Sequence, residues 1–233
     1  MSRIAERFRQ LAAGGRKALV PYVVAGDPDP AATVPLLHAL VAAGADVLEL
    51  GVPFSDPMSE GPVIQRAHER SLARGTRLRA VLDMVREFRR DDPDTPLLLM
   101  GYANPVEHMG YAAFADAAAG AGVDGLLTVD IPPEEVARVN RELQRVGMDN
   151  IFLVAPTTPE ARLDLITREA SGFIYYVSLK GVTGAGNLDV ADVGSHLAAI
   201  RRHTGLPVCV GFGIKDAASA AAVAGSADGV VVG

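Results

Sequence analysis

The chain has one cysteine, Cys209, set in the apolar stretch "LPVCVGFG". No internal disulfide can form, and the residue reads as core packing, in keeping with a reducing cytoplasm. No stretch approaches the ~20 apolar residues of a membrane span. The N-terminal "MSRIAERFRQLAAGG" reads as an amphipathic helix without the apolar centre of a signal peptide. Positive charge is not in excess: the formal net charge is −6. The arginine-rich stretch 86–90 is followed by Asp91 and Asp92 and reads as a solvated helical face, so nucleic acid finds no basic patch. Zinc-type Cys/His spacing is missing, and the five histidines (His38, His68, His108, His196, His203) are scattered, mostly on helix-like segments. Each is expected to be structural rather than a ligand or catalyst. A G-x-G-x-x-G fingerprint with a downstream acid is also missing, which counts against a dinucleotide-binding sheet.

What is present is a regular alternation. Of the 233 residues, 49% are apolar and 21% charged, the composition of a soluble globular chain. Eight apolar segments read as strands: "ALVPYVVAGDP", "DVLELGV", "TPLLLMGYANP", "VDGLLTVDIPP", "NIFLVAPTTP", "GFIYYVSLKGVTG", "LPVCVGFGI" and "DGVVVG". Helical patterns separate them, two of them lying between the second and third strands. Alternation of this kind means parallel pairing with crossovers, in a doubly wound sheet or a closed (β/α)8 barrel. Internal echoes favour the barrel. "AGADVLELG", "AGVDGLLTV" and "GSADGVVVG" each run from glycine through Asp into a strand. No linker divides the chain, so one α/β barrel domain over 1–233 is expected. The pattern stops at Gly233, at the end of strand eight, where such a barrel calls for one more covering helix.

Functional groups of a barrel come from the C-terminal strand ends and the loops after them. In "LELGVPFSDPMSEGP" (48–62), alternation turns Val47 and Glu49 one way and Leu48 and Leu50 the other. If the leucines face the helices, Glu49 points into the barrel mouth. Poor solvation there raises its pKa towards the range of a general acid/base. Glu60, on the loop just beyond, is a weaker candidate alone. Glycines in "KGVTGAG" (180–186), "GFGI" (211–214) and at Gly233 allow backbone N–H groups to approach an anion, which points to phosphate. "SLKGVTGAGNLD" reads as a mobile lid. Tyr175 shares the mouth with Glu49 if it faces inward. Tyr22, Met100, Leu127, Leu153 and Phe212 suit an apolar wall for a flat ring, or simply core.

Taken together, "PYVVAGDP", "GADVLELGVPFSDPMSEGPVIQ", "MGYANP", "VDGLLTVDIPPEE", "YYVSLKGVTGA" and "GFGIKD" resemble the tryptophan synthase alpha subunit family, over essentially the whole chain. The resemblance implies retro-aldol cleavage of indole-3-glycerol phosphate to indole and glyceraldehyde 3-phosphate without a cofactor in this chain. It gives the acid/base role to Glu49, with Tyr175 in support. It gives indole packing to Tyr22, Leu127 and Phe212, and phosphate binding to Gly184, Gly213 and Gly233. Thr183 is implied to order the lid by contact with Asp56. A beta-subunit partner carrying pyridoxal phosphate is implied, in contact around Pro53 to Pro57, "YANP" and "DIPPEE". The second acid of the family, which faces the ring N–H, is the aspartate of "ADGP". Here the matching residues are "SEGP", so the position is Glu60, one methylene longer. Misplacement of about 1 Å in a site can cost about a hundredfold in rate. Three outcomes are open: the loop adjusts and activity is kept, which is favoured; the chain is slow alone and leans on its partner; or catalysis is impaired. Other readings are a phosphosugar isomerase on the same scaffold, a non-catalytic subunit and a standalone lyase.

Overall fold

The three Asp-then-strand echoes turn out to be one structural device used three times. In the computed structural model, which describes residues 2–178, 190–211, 213–214 and 216–233, eight strands run in chain order around a closed barrel. They are β1 (Ala18–Val24), β2 (Leu48–Gly51), β3 (Leu97–Gly101), β4 (Gly125–Thr128), β5 (Asp149–Val154), β6 (Ile174–Val177), β7 (Val208–Gly211) and β8 (Gly229–Val232). All neighbours pair in parallel, and β8 closes on β1 with Ala18 opposite Gly229. The aspartate before β2, β4 and β8 reaches back to the start of the preceding strand. Asp46 accepts from the Leu19 N–H (3.0 Å), Asp124 from Leu97 (2.8 Å) and Asp228 from Val208 (2.9 Å). In return each aspartate donates its own N–H to the carbonyl of the same residue. Three pairs of strands are thus clamped at the N-terminal rim of the barrel, each by reciprocal bonds that satisfy strand-end groups no ladder would.

Each clamp also holds a cation. Arg16 lies 3.3 Å from Asp46, Arg201 2.9 Å from Asp228, and Asp124 takes both Arg3 and Arg89 at 2.7 Å. Arg89 corrects the expectation of a solvated face over 86–90. Its side chain is 9% exposed and it also donates to the carbonyls of Gly122 and Thr95. The segment is amphipathic at single-residue resolution, and one arginine of the run folds under to fill the rim.

Helix α1 (Arg3–Ala13) precedes the barrel, and the helices after it cover the outside: α2 (Thr33–Ala42), α3 (Pro62–Ala73), α4 (Leu78–Phe88), α5 (Ala103–Met109), α6 (Tyr111–Ala121), α7 (Ala137–Val146), α8 (Glu160–Glu169), α9 (Val190–Arg201) and α10 (Ala217–Ala224). Pro62 begins α3, where its missing N–H costs nothing. Helix α5 was not expected. "YANP" reads as the tail of a strand, yet β3 stops at Gly101 and Ala103 starts a helix whose first N–H is taken by the Asp130 carboxylate at 2.7 Å. Pro105 falls in the first turn, where proline is tolerated.

Two apolar clusters follow from strand alternation. The outer one, between strands and helices, holds Leu48, Leu50, Leu97 and Leu99. The inner one fills the barrel with Val20, Val47, Leu98, Met100, Leu127, Ile151, Phe173, Tyr175 and Cys209. Helix α1 plugs the N-terminal end: Ile4, Phe8 and Leu11 join the inner cluster, and the Phe8 and Phe173 rings lie 5.6 Å apart. Ser2 caps the helix and donates to Asp149 at 2.5 Å. With one end plugged, the barrel is open for chemistry only at the other.

Asp124→Ala is expected to lower stability by about 3–5 kcal/mol, because it takes the carboxylate counter-ion from the buried Arg89. Asp124→Asn keeps an acceptor for Leu97 and should cost less. Urea unfolding with an unchanged m-value checks both.

Candidate active site

Glu49 stands on the inner face of β2. Val47, two residues before it, lies in the inner cluster, while Leu48 and Leu50 lie in the outer one. The carboxyl is 1% exposed, and neither oxygen has a hydrogen-bond partner among the described residues. Burial alone pushes its pKa up to about 8. At neutral pH Glu49 therefore carries a proton it can give away.

Two tyrosines share its surroundings, and glycines make room for both. Tyr22 is the register partner of Glu49 on β1. A Cβ on Gly51 would fall on its hydroxyl and lie 2.8 Å from Cζ. On β6, Tyr175 leans over Gly211 in the same manner, with a Cβ there 2.6 Å from Cζ. Gly211 is thus explained by ring packing rather than by a turn. Both phenols are held well above their usual pKa, first by burial and then by the Glu49 charge. They stay protonated, and both sense the same carboxylate.

Glu60, on the loop between β2 and α3, is tied at both ends. Tyr102 O–H donates to its Oε2, and Ser59 Oγ donates to the same oxygen at 3.3 Å. The Gln65 amide donates to its backbone carbonyl at 3.0 Å. Tyr102 is buried, stacked on Phe54 with centroids 4.9 Å apart, and its pKa is pushed up to about 12 by burial and by the bond to Glu60. The Glu60 charge reaches Tyr22 and His68. A loop glutamate is therefore fixed beside the mouth.

His68 and Tyr102 were not expected in the site. The sequence alone groups His68 with the scattered structural histidines and puts Tyr102 in a strand. Two turns into α3, His68 is 1% exposed and its Nδ1 accepts the Phe54 N–H at 3.0 Å. Its Nε2 lies 3.5 Å from the Tyr22 hydroxyl. A histidine two turns after a catalytic loop is a weak signal, recognisable only once α3 is known to pack against β1.

The wall residues come together in part. Met100, Leu127 and Tyr175 are buried in the inner cluster, with Tyr22 and Leu153 half-buried against it. Leu127 is fully enclosed. Gly213 has φ +73, open to glycine and strained for other residues. Gly233, beyond β8, would place a Cβ 3.5 Å from the Tyr22 ring. Thr183, Gly184 and Phe212 lie outside the described residues. Asp56, the expected contact of Thr183, is exposed and takes the Ser55 hydroxyl at 2.5 Å. No helix among the described residues is long and apolar enough to cross a membrane, and none of their side chains cluster as a metal site.

A (β/α)8 barrel plugged at one end, with a buried carboxyl and two phenols at the other, has the form of a small-molecule enzyme. Comparison with known proteins narrows the class. A family profile described as tryptophan synthase alpha chain matches residues 8–233. The tryptophan synthase alpha chain of Thioalkalivibrio sulfidiphilus is 65% identical over 233 residues, covering 100% of this chain and 88% of the relative. That of Laribacter hongkongensis is 63% identical over the same spans. The crystal structure of tryptophan synthase subunit alpha from Legionella pneumophila superposes with a TM-score of 0.93 at 48% identity, over 100% of this chain and 86% of that one. The chain belongs to the tryptophan synthase alpha chain family. Its reaction is the lyase cleavage of indole-3-glycerol phosphate, a step of tryptophan biosynthesis, and the family implies a beta-subunit partner.

Gly211→Ala puts a methyl group into the Tyr175 ring, and overpacking of this kind costs about 1–3 kcal/mol. Thermal unfolding should show that loss, with slower indole release. A smaller side chain at 175, Tyr175→Leu, should restore stability to Gly211→Ala without restoring activity.

Proposed function

We propose that Glu49, Glu60 and Tyr175 carry the cleavage. The bond between indole C3 and the adjoining glycerol carbon breaks once C3 is protonated and the hydroxyl on that glycerol carbon loses its proton. Glu49, protonated in the resting site, delivers the first proton. The carboxylate left behind takes the second, the electron pair of the broken bond returns to the ring, and an aldehyde leaves. Protonation of C3 puts positive charge on the ring nitrogen, which the Glu60 carboxylate stabilises across the N–H. Tyr175 supports Glu49. Tyr22, Met100, Leu127, Leu153 and Phe212 hold the ring, Thr183 orders the lid, and backbone N–H groups of Gly184, Gly213 and Gly233 hold the phosphate. The observation that carries this reading is the Glu49 carboxyl, buried and without a partner on the inner face of β2.

Glu60 keeps the role of the shorter aspartate. Its support is the bond from Tyr102, which draws the longer side chain onto a buried ring instead of leaving it to extend. The beta partner docks around Pro53 to Pro57, 102–105 and 130–135 in an α2β2 complex and brings the pyridoxal phosphate, while this chain needs no cofactor. Met58 and Val63, 82% and 73% exposed beside the same loop, suit such a contact. A cytoplasmic single-domain subunit fits these features.

Glu49→Gln should abolish indole release from indole-3-glycerol phosphate. For the parent, kcat/KM should fall as pH rises through about 8, where Glu49 loses its proton. The same shift bears on stability. The folded pKa exceeds the unfolded one, so the unfolded chain ionises first, and stability present below about pH 4.5 declines as pH rises to about 8. Glu49→Gln escapes the loss, so its melting-point advantage should widen across that window, at about 1.4 kcal/mol per pH unit.

Glu60→Asp should give no rise in indole release, whereas Glu60→Gln should cost about a hundredfold or more. A clear gain in Glu60→Asp would mean that the longer side chain impairs this chain.

A further inference from the structure

The Tyr22 hydroxyl is more than a packing atom. Four observations define it. It belongs to the residue paired with Glu49 across β1 and β2. It occupies space that exists only because residue 51 has no Cβ. It senses the charges of both Glu49 and Glu60. It lies 3.5 Å from His68 Nε2. The histidine is not free to choose its tautomer. Its Nδ1 accepts the Phe54 N–H at 3.0 Å, so the neutral ring carries its proton on Nε2 and turns that proton towards Tyr22. Burial holds the ring in this neutral form against the charges of Glu60 and Asp27. With a lone pair of its oxygen facing His68, Tyr22 has its own proton left for the mouth.

We infer that His68 is a positioning residue that orients the Tyr22 hydroxyl as a hydrogen-bond donor to the carboxylate Glu49 becomes after it has protonated the substrate. This rests on Glu49 being the acid/base of the reaction. No covalent step is added: Tyr22 keeps its proton throughout and stabilises a charge that exists only between the two proton transfers. In the resting site neither Glu49 oxygen has a hydrogen-bond partner among the described residues, so the bond from Tyr22 forms only once the charge appears. Among the described residues, the titratable groups that feel the Glu49 charge are Tyr22 on β1, Tyr175 on β6 and Cys209 on β7. Tyr22 also has a histidine beside its oxygen.

The test is the pH dependence of kcat and kcat/KM for indole release, measured on the whole chain. Tyr22→Phe removes the donor and leaves the ring. It should lower kcat about tenfold and move the alkaline limb upward by about one pH unit, because an ionised Glu49 loses its partner. His68→Asn keeps a side-chain acceptor for the Phe54 N–H but is too short to reach Tyr22. It should shift the limb in the same direction, and added to Tyr22→Phe it should do nothing further. His68→Gln, which can place an amide N–H near the lost Nε2, should recover most of the effect. A role confined to fixing the Phe54 loop would change melting temperature without moving the limb. An unshifted limb in His68→Asn, or full additivity with Tyr22→Phe, overturns the inference. Persistence of the limb in Glu49→Gln would instead overturn the assignment of Glu49.

Discussion

An ionisable carboxyl removed from water and given no counter-ion can be kept only by leaving its proton on. Glu49 is in that condition, and much of the molecule serves to keep it so. The inner cluster excludes solvent from below, and α1 seals the far end of the barrel. The two phenols that feel the carboxyl charge stay neutral and add no positive charge that would draw the proton off. An arginine at either place would turn Glu49 into a permanent carboxylate, and the site would lose its acid. The reactivity of the group is therefore a property of the whole barrel interior and not of one side chain.

The second acid is managed by the opposite method. Glu60 sits on a loop with hydroxyls and amides around it, and the surroundings stabilise its position rather than withholding solvation. Two carboxyls eleven residues apart are thus given different surroundings, one withheld from water and one held by polar neighbours. In the proposed mechanism, one glutamate then passes protons while the other balances a positive ring nitrogen. The longer reach of glutamate at position 60 is taken up by a tyrosine that was already buried against Phe54.

Much of this was legible beforehand, for definite reasons. Period-two alternation in "DVLELGV" put Glu49 on the face opposite Leu48 and Leu50, and so inward once those leucines face the helices. The Gly…Asp-strand echoes argued for a repeated βα unit, and the clamps at Asp46, Asp124 and Asp228 are the physical ground for that echo. What was not legible is what long-range contact decides. Arg89 looked solvated because Asp124 lies 35 positions away. The grip of Tyr102 on Glu60 spans 42 positions, and the approach of His68 to Tyr22 spans 46. The start of α5 depends on Asp130, 27 residues on. No local period records such pairings.

The aspartate clamps have a wider meaning. They lie at the rim opposite the chemistry and join neighbouring strands through backbone groups that every sequence possesses. Strand order and spacing are therefore held by parts that never meet the substrate. The loop and helix that follow β2 can lengthen a side chain, as at position 60, or place a histidine behind a tyrosine, without disturbing the frame. The barrel divides into a chassis at one rim and a working edge at the other.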